Sequence, residues 1–182
     1  MVVFDLERSI AAYSAKLGVG PWTVYTLGPG LLKDMVYRGA PASFRFRHAL
    51  TVWGDLQLEL LEPLEGPSIY SEHLERHGEG LHHLGSYVSD IAVAVEELQR
   101  RGFTMVQSAR GFGRNGDGAF AYFETDDPLG AVFEVIEPPA VRIDPDFVTE
   151  APSDAEAQDE PRGVDDVGHE TFRRTAGSPR TT

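Results

Sequence analysis

Leu58-Glu59-Leu60-Leu61-Glu62-Pro63 recurs as Phe133-Glu134-Val135-Ile136-Glu137-Pro138. Both are apolar runs of strand length, interrupted by a glutamate at the same place and followed by proline, and they read as one buried strand duplicated. Proline cannot donate to a ladder, so each strand is expected to end there. Upstream, Val3-Phe4-Asp5-Leu6 matches Val88-Ser89-Asp90-Ile91, where a strand runs into an Asp suited to cap a helix. Leu6, Ile10, Tyr13 and Leu17 then fall on one helical face, as do Ile91, Val95 and Leu98. Gly18 and Gly102 are placed to close the two helices.

Three β-rich stretches follow each helix. In the first half they are Trp22–Leu27, Ser43–Trp53 and Leu56–Leu61; in the second, Phe103–Ser108, Ala119–Glu124 and Ala131–Ile136. The fold class is therefore α+β, with a first module over residues 1–64, a linking helix within 65–79, and a second module over 80–140. Residues 141–182 are rich in Asp, Glu, Pro, Ser and Thr and poor in large apolar residues, and are expected to form a disordered acidic tail.

Composition narrows the chemistry. The 182 residues carry 16 basic and 29 acidic side chains, a formal charge of −13, which leaves no basic stripe for nucleic acid or anionic membranes. No apolar run approaches the roughly 20 residues of a membrane span. The amino terminus has no basic or long apolar leader segment, so the cytosol is the expected location. With no cysteine, any metal must be held by His and carboxylates.

Glu59 and Glu134 stand out because each sits inside an apolar strand. By alternation Glu59 shares a face with Gln57 and Leu61, and Glu134 with Val132 and Ile136. A carboxylate on such a face is costly to bury unless it is paired or holds a cation. Their equivalence in the repeat would bring them to a common centre between the halves. His82-His83 opens the second module; the offset between Asp5 and Asp90 is 85, so the equivalent of His83 falls at position −2, ahead of Met1. His48 and Trp53 on one strand, and Tyr122 on another, are candidates for a substrate pocket. Arg45 and Arg47 share a face that reads as solvated sheet surface. Gly111-Phe112-Gly113 precedes a strand and not a helix, which rules out a phosphate loop.

Asp-Leu-Glu-Arg-Ser-Ile at 5–10, Leu-Gly-Val-Gly-Pro-Trp at 17–22, Leu-Glu-Leu-Leu-Glu-Pro-Leu at 58–64 and Gly-Leu-His-His-Leu at 80–84 resemble the vicinal-oxygen-chelate superfamily. That group includes glyoxalase I, methylmalonyl-CoA epimerase, extradiol dioxygenases and bleomycin-resistance proteins. The resemblance spans roughly residues 1–139 and is nearest the methylmalonyl-CoA epimerase-like branch. It implies two βαβββ modules, the first strand of module 1 truncated, forming a pseudo-twofold curved sheet around a central site.

The resemblance also implies a metal held by Glu59, His83 and Glu134, with a fourth ligand, usually His, expected ahead of Met1. His83 fits the pattern better than His82, whose side chain should point the other way. An oxygen-rich site with one imidazole suits a divalent ion such as Co, Ni, Mn, Fe(II), Mg or Zn. The implied activity is of the epimerase, isomerase or lyase kind on a small molecule, with Glu134 and Glu59 as candidates to move a proton next to a chelated carbonyl. A dioxygenase would want two histidines and one carboxylate, and no pattern here marks a glutathione site. The rival reading is a metal-free binding protein of the bleomycin-resistance type, with Trp22, Tyr25, Trp53, Phe120 and Tyr122 as pocket walls. Exposed sheet edges and family habit make a homodimer the expected assembly.

Overall fold

Asp5 and Asp90 both sit in extended backbone and accept an amide hydrogen three residues on, capping α1 (Leu6–Leu17) and α3 (Ile91–Arg100). Ser68 caps the linking helix α2 (Ile69–His77) in the same way. The computed structural model describes residues 1–125 and 129–152. Gly18 closes α1 in the left-handed conformation as expected; α3 ends one residue earlier than expected, on Arg101, with Gly102 following at positive φ.

The strands, numbered in chain order, are β1 (Thr23–Leu27), β2 (Lys33–Tyr37), β3 (Ala40–Pro41), β4 (Arg45–Trp53), β5 (Leu56–Glu65), β6 (His83–Tyr87), β7 (Thr104–Phe112), β8 (Gly118–Glu124), β9 (Val132–Glu137) and β10 (Phe147–Val148). They form a four-stranded sheet in the order β10-β1-β4-β5 and a six-stranded sheet in the order β3-β2-β7-β8-β9-β6. The repeat is visible in the register. β6 runs parallel to β9 with Tyr87 opposite Ile136, and Val2 bridges Leu61 in parallel at the equivalent point. Val88 N donates to the Ile136 carbonyl as Val3 N donates to that of Leu61. Met1–Val3 thus occupy the place of a first strand. The fold is the expected α+β arrangement of two βαβββ units.

Four expectations are corrected. β5 continues through Pro63 to Glu65, past a register shift opposite Arg45 and Phe46. Proline is tolerated because β5 is an outer strand, with β4 on one side and only the Val2 bridge on the other. No strand was expected between the β-rich stretches Trp22–Leu27 and Ser43–Trp53, yet β2 and β3 lie there and extend the second sheet through β7. Trp53 does not reach a pocket but lies half exposed at the end of β4, and Trp22 is fully buried on the opposite face of the first sheet. The acidic tail does not begin at residue 141. Residues 138–149 form a strap: Arg114 N donates to the Val141 carbonyl, Asp146 N to that of Val24, and Thr149 N to that of Trp22, with β10 antiparallel to β1. The rest of the expected tail, from residue 153, lies outside the described residues.

Side-chain alternation sorts the strands into three cores. Leu60 packs with Val3, Leu6, Ile10 and Trp22 under α1. Val135 packs with Ile91, Ala121 and Phe123 under α3. Leu61 instead joins Phe46, Tyr70, Phe120 and Tyr122 in the central core between the sheets. Each such large side chain contributes roughly 1.5–3 kcal/mol on burial. Glu59 and Glu134, out of phase with Leu60 and Val135, are therefore turned toward the centre. Arg47 lies away from it, paired with Glu7 and Glu62 at 2.5 and 2.8 Å.

The strap rests on Gly113, whose φ is +91° and whose missing Cβ leaves the space that the Pro139 ring fills. Gly113→Ala is expected to cost about 1–3 kcal/mol in urea unfolding and to open residues 138–149 to limited proteolysis. Unchanged stability together with an equally protected strap would contradict this packing.

Candidate metal centre

Glu59 from β5, His83 from β6 and Glu134 from β9 bring one donor atom each to within 4.8 Å of one another. His83 Nε2 lies 3.1 Å from Glu59 Oε2 and 3.5 Å from Glu134 Oε2. The duplicated strand delivers the two carboxylates, and the first strand of the second module delivers the imidazole. Gly85 lies opposite Glu134 in the β6–β9 register, and a Cβ there would sit 3.3 Å from Glu134 Oε2. The absence of a side chain at Gly85 makes room for the carboxylate.

The surroundings of the two glutamates differ. Glu59 Oε1 lies 2.8 Å from His48 Nδ1 and its Oε2 faces His83, so both of its oxygens have imidazole partners. Burial pushes the Glu59 carboxyl up, but hydrogen bonds and charge from His48 and His83 outweigh it and hold the group well below the usual carboxylate range. Glu134 is 4% exposed, and its Oε2 is buried without a hydrogen-bond partner. Burial, then the charge of Glu59, pushes its carboxyl well up, against a hydrogen bond from Tyr122. Tyr122 stands opposite Glu134 in the β8–β9 register, and the Tyr70 hydroxyl donates to the Tyr122 hydroxyl at 2.9 Å.

His82 points away from the three donors, as expected, but its Nδ1 is 3.0 Å from Nδ1 of His83. Burial, then the charges of His83 and His73, pushes His82 down to about 2, so it is neutral. An imidazole that binds a cation through Nε2 needs its proton on Nδ1, and His82 Nδ1 is placed to accept it.

A half-buried and a buried carboxylate converging on one buried imidazole, with one oxygen orphaned, form an unbalanced set until a cation is added. The donors are hard oxygens plus one nitrogen, which fits an open divalent site. Glu59, His83 and Glu134 are brought together as the sequence suggested, and His48 and Tyr122 border them. Tyr25 and Phe120 line the cleft, whereas Trp22 and Trp53 do not. Sequence reasoning took Tyr70 only as a packing residue, left Pro139 at the end of the second module and assigned Arg142 and Ile143 to the tail, although all four line the cleft. The two apolar residues that interrupt the acidic stretch, Val141 and Ile143, were the available signal. The open space of the cleft, solvent at its mouth included, is about 740 Å³.

A sequence profile of the glyoxalase/bleomycin resistance protein/dioxygenase superfamily matches residues 1–123. The chain belongs to that superfamily. No curated protein matches it. Among solved structures, a hypothetical protein from Bacillus halodurans C-125 is similar at 22% identity and a TM-score of 0.55, over 75% of this chain and 88% of that one. A variant of Streptomyces coelicolor methylmalonyl-CoA epimerase in complex with 2-nitronate-propionyl-CoA is similar at 19% identity and a TM-score of 0.52, over 78% and 92%. Methylmalonyl-CoA epimerase in complex with methylmalonyl-CoA and ammonium gives 19% identity and a TM-score of 0.50, over 78% and 92%. At these identities the likeness is one of fold. Among the described residues, no helix is long and apolar enough to cross a membrane.

Proposed function

We propose that this chain is a divalent-metal-dependent enzyme that removes a proton next to the carbonyl of a small acyl compound, in an epimerase, isomerase or lyase reaction. The observation that carries the reading is the Glu59–His83–Glu134 cluster with the orphaned Glu134 Oε2 beside a cleft. A cation held by those three residues supplies electrophilic polarisation of the carbonyl. Glu59, held by both His48 and His83, is suited to stay in place. Glu134, whose carboxyl burial pushes well up, is the residue suited to take and return the proton. Tyr122 and Tyr70 fix the carboxylate from behind, and the aromatic walls keep water from competing at the reacting carbon. The fold shared with methylmalonyl-CoA epimerases makes thioesters, beside 2-oxo and 2-hydroxy acids, reasonable first substrates.

The test combines metal content with deuterium exchange. Protein supplied with Co, Ni or Mn is expected to hold about one ion per chain, as a single three-residue site implies. The loaded protein should wash deuterium into the position next to the carbonyl of an acyl thioester or 2-oxo acid. Glu134→Ala should lose both. Metal-free protein that shows no exchange yet binds such compounds would replace this reading with the metal-free binding protein, for which the aromatic cleft is already suited.

A further inference from the structure

The apolar wall of the cleft includes Leu27, Phe46, Leu50, Phe112, Phe120 and Ile143. Glu59 and Glu134 line the same cleft, Glu134 at 4% exposure. The strap closes the other side, crossing from the β7–β8 hairpin, where Ala140 N donates to Asp117 and Arg114 N to Val141, to the edge of β1. It brings Arg142 to the rim, the one arginine or lysine among those lining the cleft. Arg142 is exposed and makes no ion pair among the described residues, whereas Arg38, Arg45, Arg47, Arg110 and Arg114 each face a carboxylate.

We infer that the cleft takes an elongated amphipathic anion: carbonyl oxygens at the glutamate end, an apolar middle against the aromatic walls, and a negative group at the mouth held by Arg142. The carbonyl end rests on the function proposed above; the apolar middle and the anionic end do not. Charge supports the assignment. A chain of formal charge −13 repels anions from most of its surface, so an anionic ligand needs a local cation on its path. Arg142 supplies one on a segment anchored at both ends, and its guanidinium matches the planar geometry of a carboxylate or phosphate. A terminal carboxylate on the acyl chain and the phosphates of a coenzyme A carrier both offer that chemistry.

Calorimetric titration of the full-length protein separates these sources with two pairs of probes. One pair is 2-oxooctanedioate against 2-oxooctanoate, which differ only in the terminal carboxylate. The other is isobutyryl-CoA against the isobutyryl thioester of pantetheine, which lacks the phosphates and the adenosine, so that only a preference abolished in Arg142→Gln counts. At least one charged member is expected to bind about three- to fivefold tighter than its partner at low salt, as suits an exposed charge pair. The preference should shrink at high salt and vanish in Arg142→Gln, while that variant binds the member without the distal anionic group as the parent does. The pair that responds identifies the source of the anion. Equal binding within both pairs, a preference that survives Arg142→Gln, or no binding of any probe would overturn the inference. Mn²⁺ titrated alone tests the metal separately. If Mn²⁺ fails to bind, the proposed function falls, and the charge preference measured on metal-free protein still decides the assignment of Arg142.

Discussion

Glu134→Gln is expected to weaken Mn²⁺ or Co²⁺ binding by on the order of a hundredfold or more and, at the same time, to make the metal-free protein more stable. The first effect follows from removing one of three protein donors, a larger loss than the ten- to hundredfold typical of a residue that only orients a ligand. The second follows from the state of the carboxylate without a cation. It is buried, one oxygen has no partner, and Glu59 lies beside it. Glutamine is nearly isosteric, removes the repulsion, and can turn its amide toward the Glu59 carboxylate as a donor. A gain of about 1–3 kcal/mol is expected from replacing a buried, poorly compensated charge. The sign with pH is fixed by the upward shift. Below the ordinary carboxylate value of 4.5, Glu134 is protonated both folded and unfolded, and its contribution to stability is fully present. As pH rises above that value the unfolded chain ionises freely while the folded one resists, so stability is lost until pH passes the raised folded value. The advantage of glutamine should therefore grow over that range. Metal titration and urea unfolding of metal-stripped protein measure the two effects. A variant that binds metal as the parent does, or is less stable without it, would remove Glu134 from the site.

That prediction draws on residues legible in the sequence, and the reason is symmetry. A duplicated strand with a glutamate at one fixed position marks two carboxylates that meet only if the halves fold alike, and alternation alone turns both away from Leu60 and Val135. The helices were legible because Asp5, Asp90 and Ser68 are polar caps ahead of apolar periodicity. What escaped depends on long-range pairing. β2 and β3 are short, carry exposed residues, and gain their hydrogen bonds from β7 and from each other. The strap carries Pro138, Pro139, Asp144, Pro145 and Asp146, a composition that locally favours no structure, and is ordered by the β1 edge and the Gly113 gap. Trp53 was misplaced because alternation gives its face but not where β4 leaves the sheet's cover. His48 was legible only as a polar residue on the inner face. Its bond to Glu59 is diagonal, since the residue opposite His48 is Leu61.

His82→Leu is expected to lower metal affinity about ten- to hundredfold without removing any donor atom, as losing the partner of a ligating imidazole does. His82 and His83 meet through their Nδ1 atoms, so a single proton must lie between them. With Nε2 of His83 turned to Glu59 and Glu134, the arrangement that leaves Nε2 free to bind a cation has His83 Nδ1–H donating to His82. His82 can accept because burial and neighbouring imidazoles keep it neutral. Leucine fills the space among Tyr70, Tyr122 and His73, whose rings lie 5.7, 6.2 and 5.0 Å from that of His82, so the fold should survive. It leaves His83 with a buried donor and no acceptor, which costs about 1–3 kcal/mol and lets the ring turn or exchange tautomer. His82→Gln, whose amide oxygen can accept the same bond, should recover part of the affinity. The decisive readout is the pair: a leucine variant that unfolds like the parent but binds Co²⁺ weakly, with glutamine between them, assigns His82 to holding the ligand's tautomer. Equal Co²⁺ affinity in all three proteins would leave His82 as packing alone.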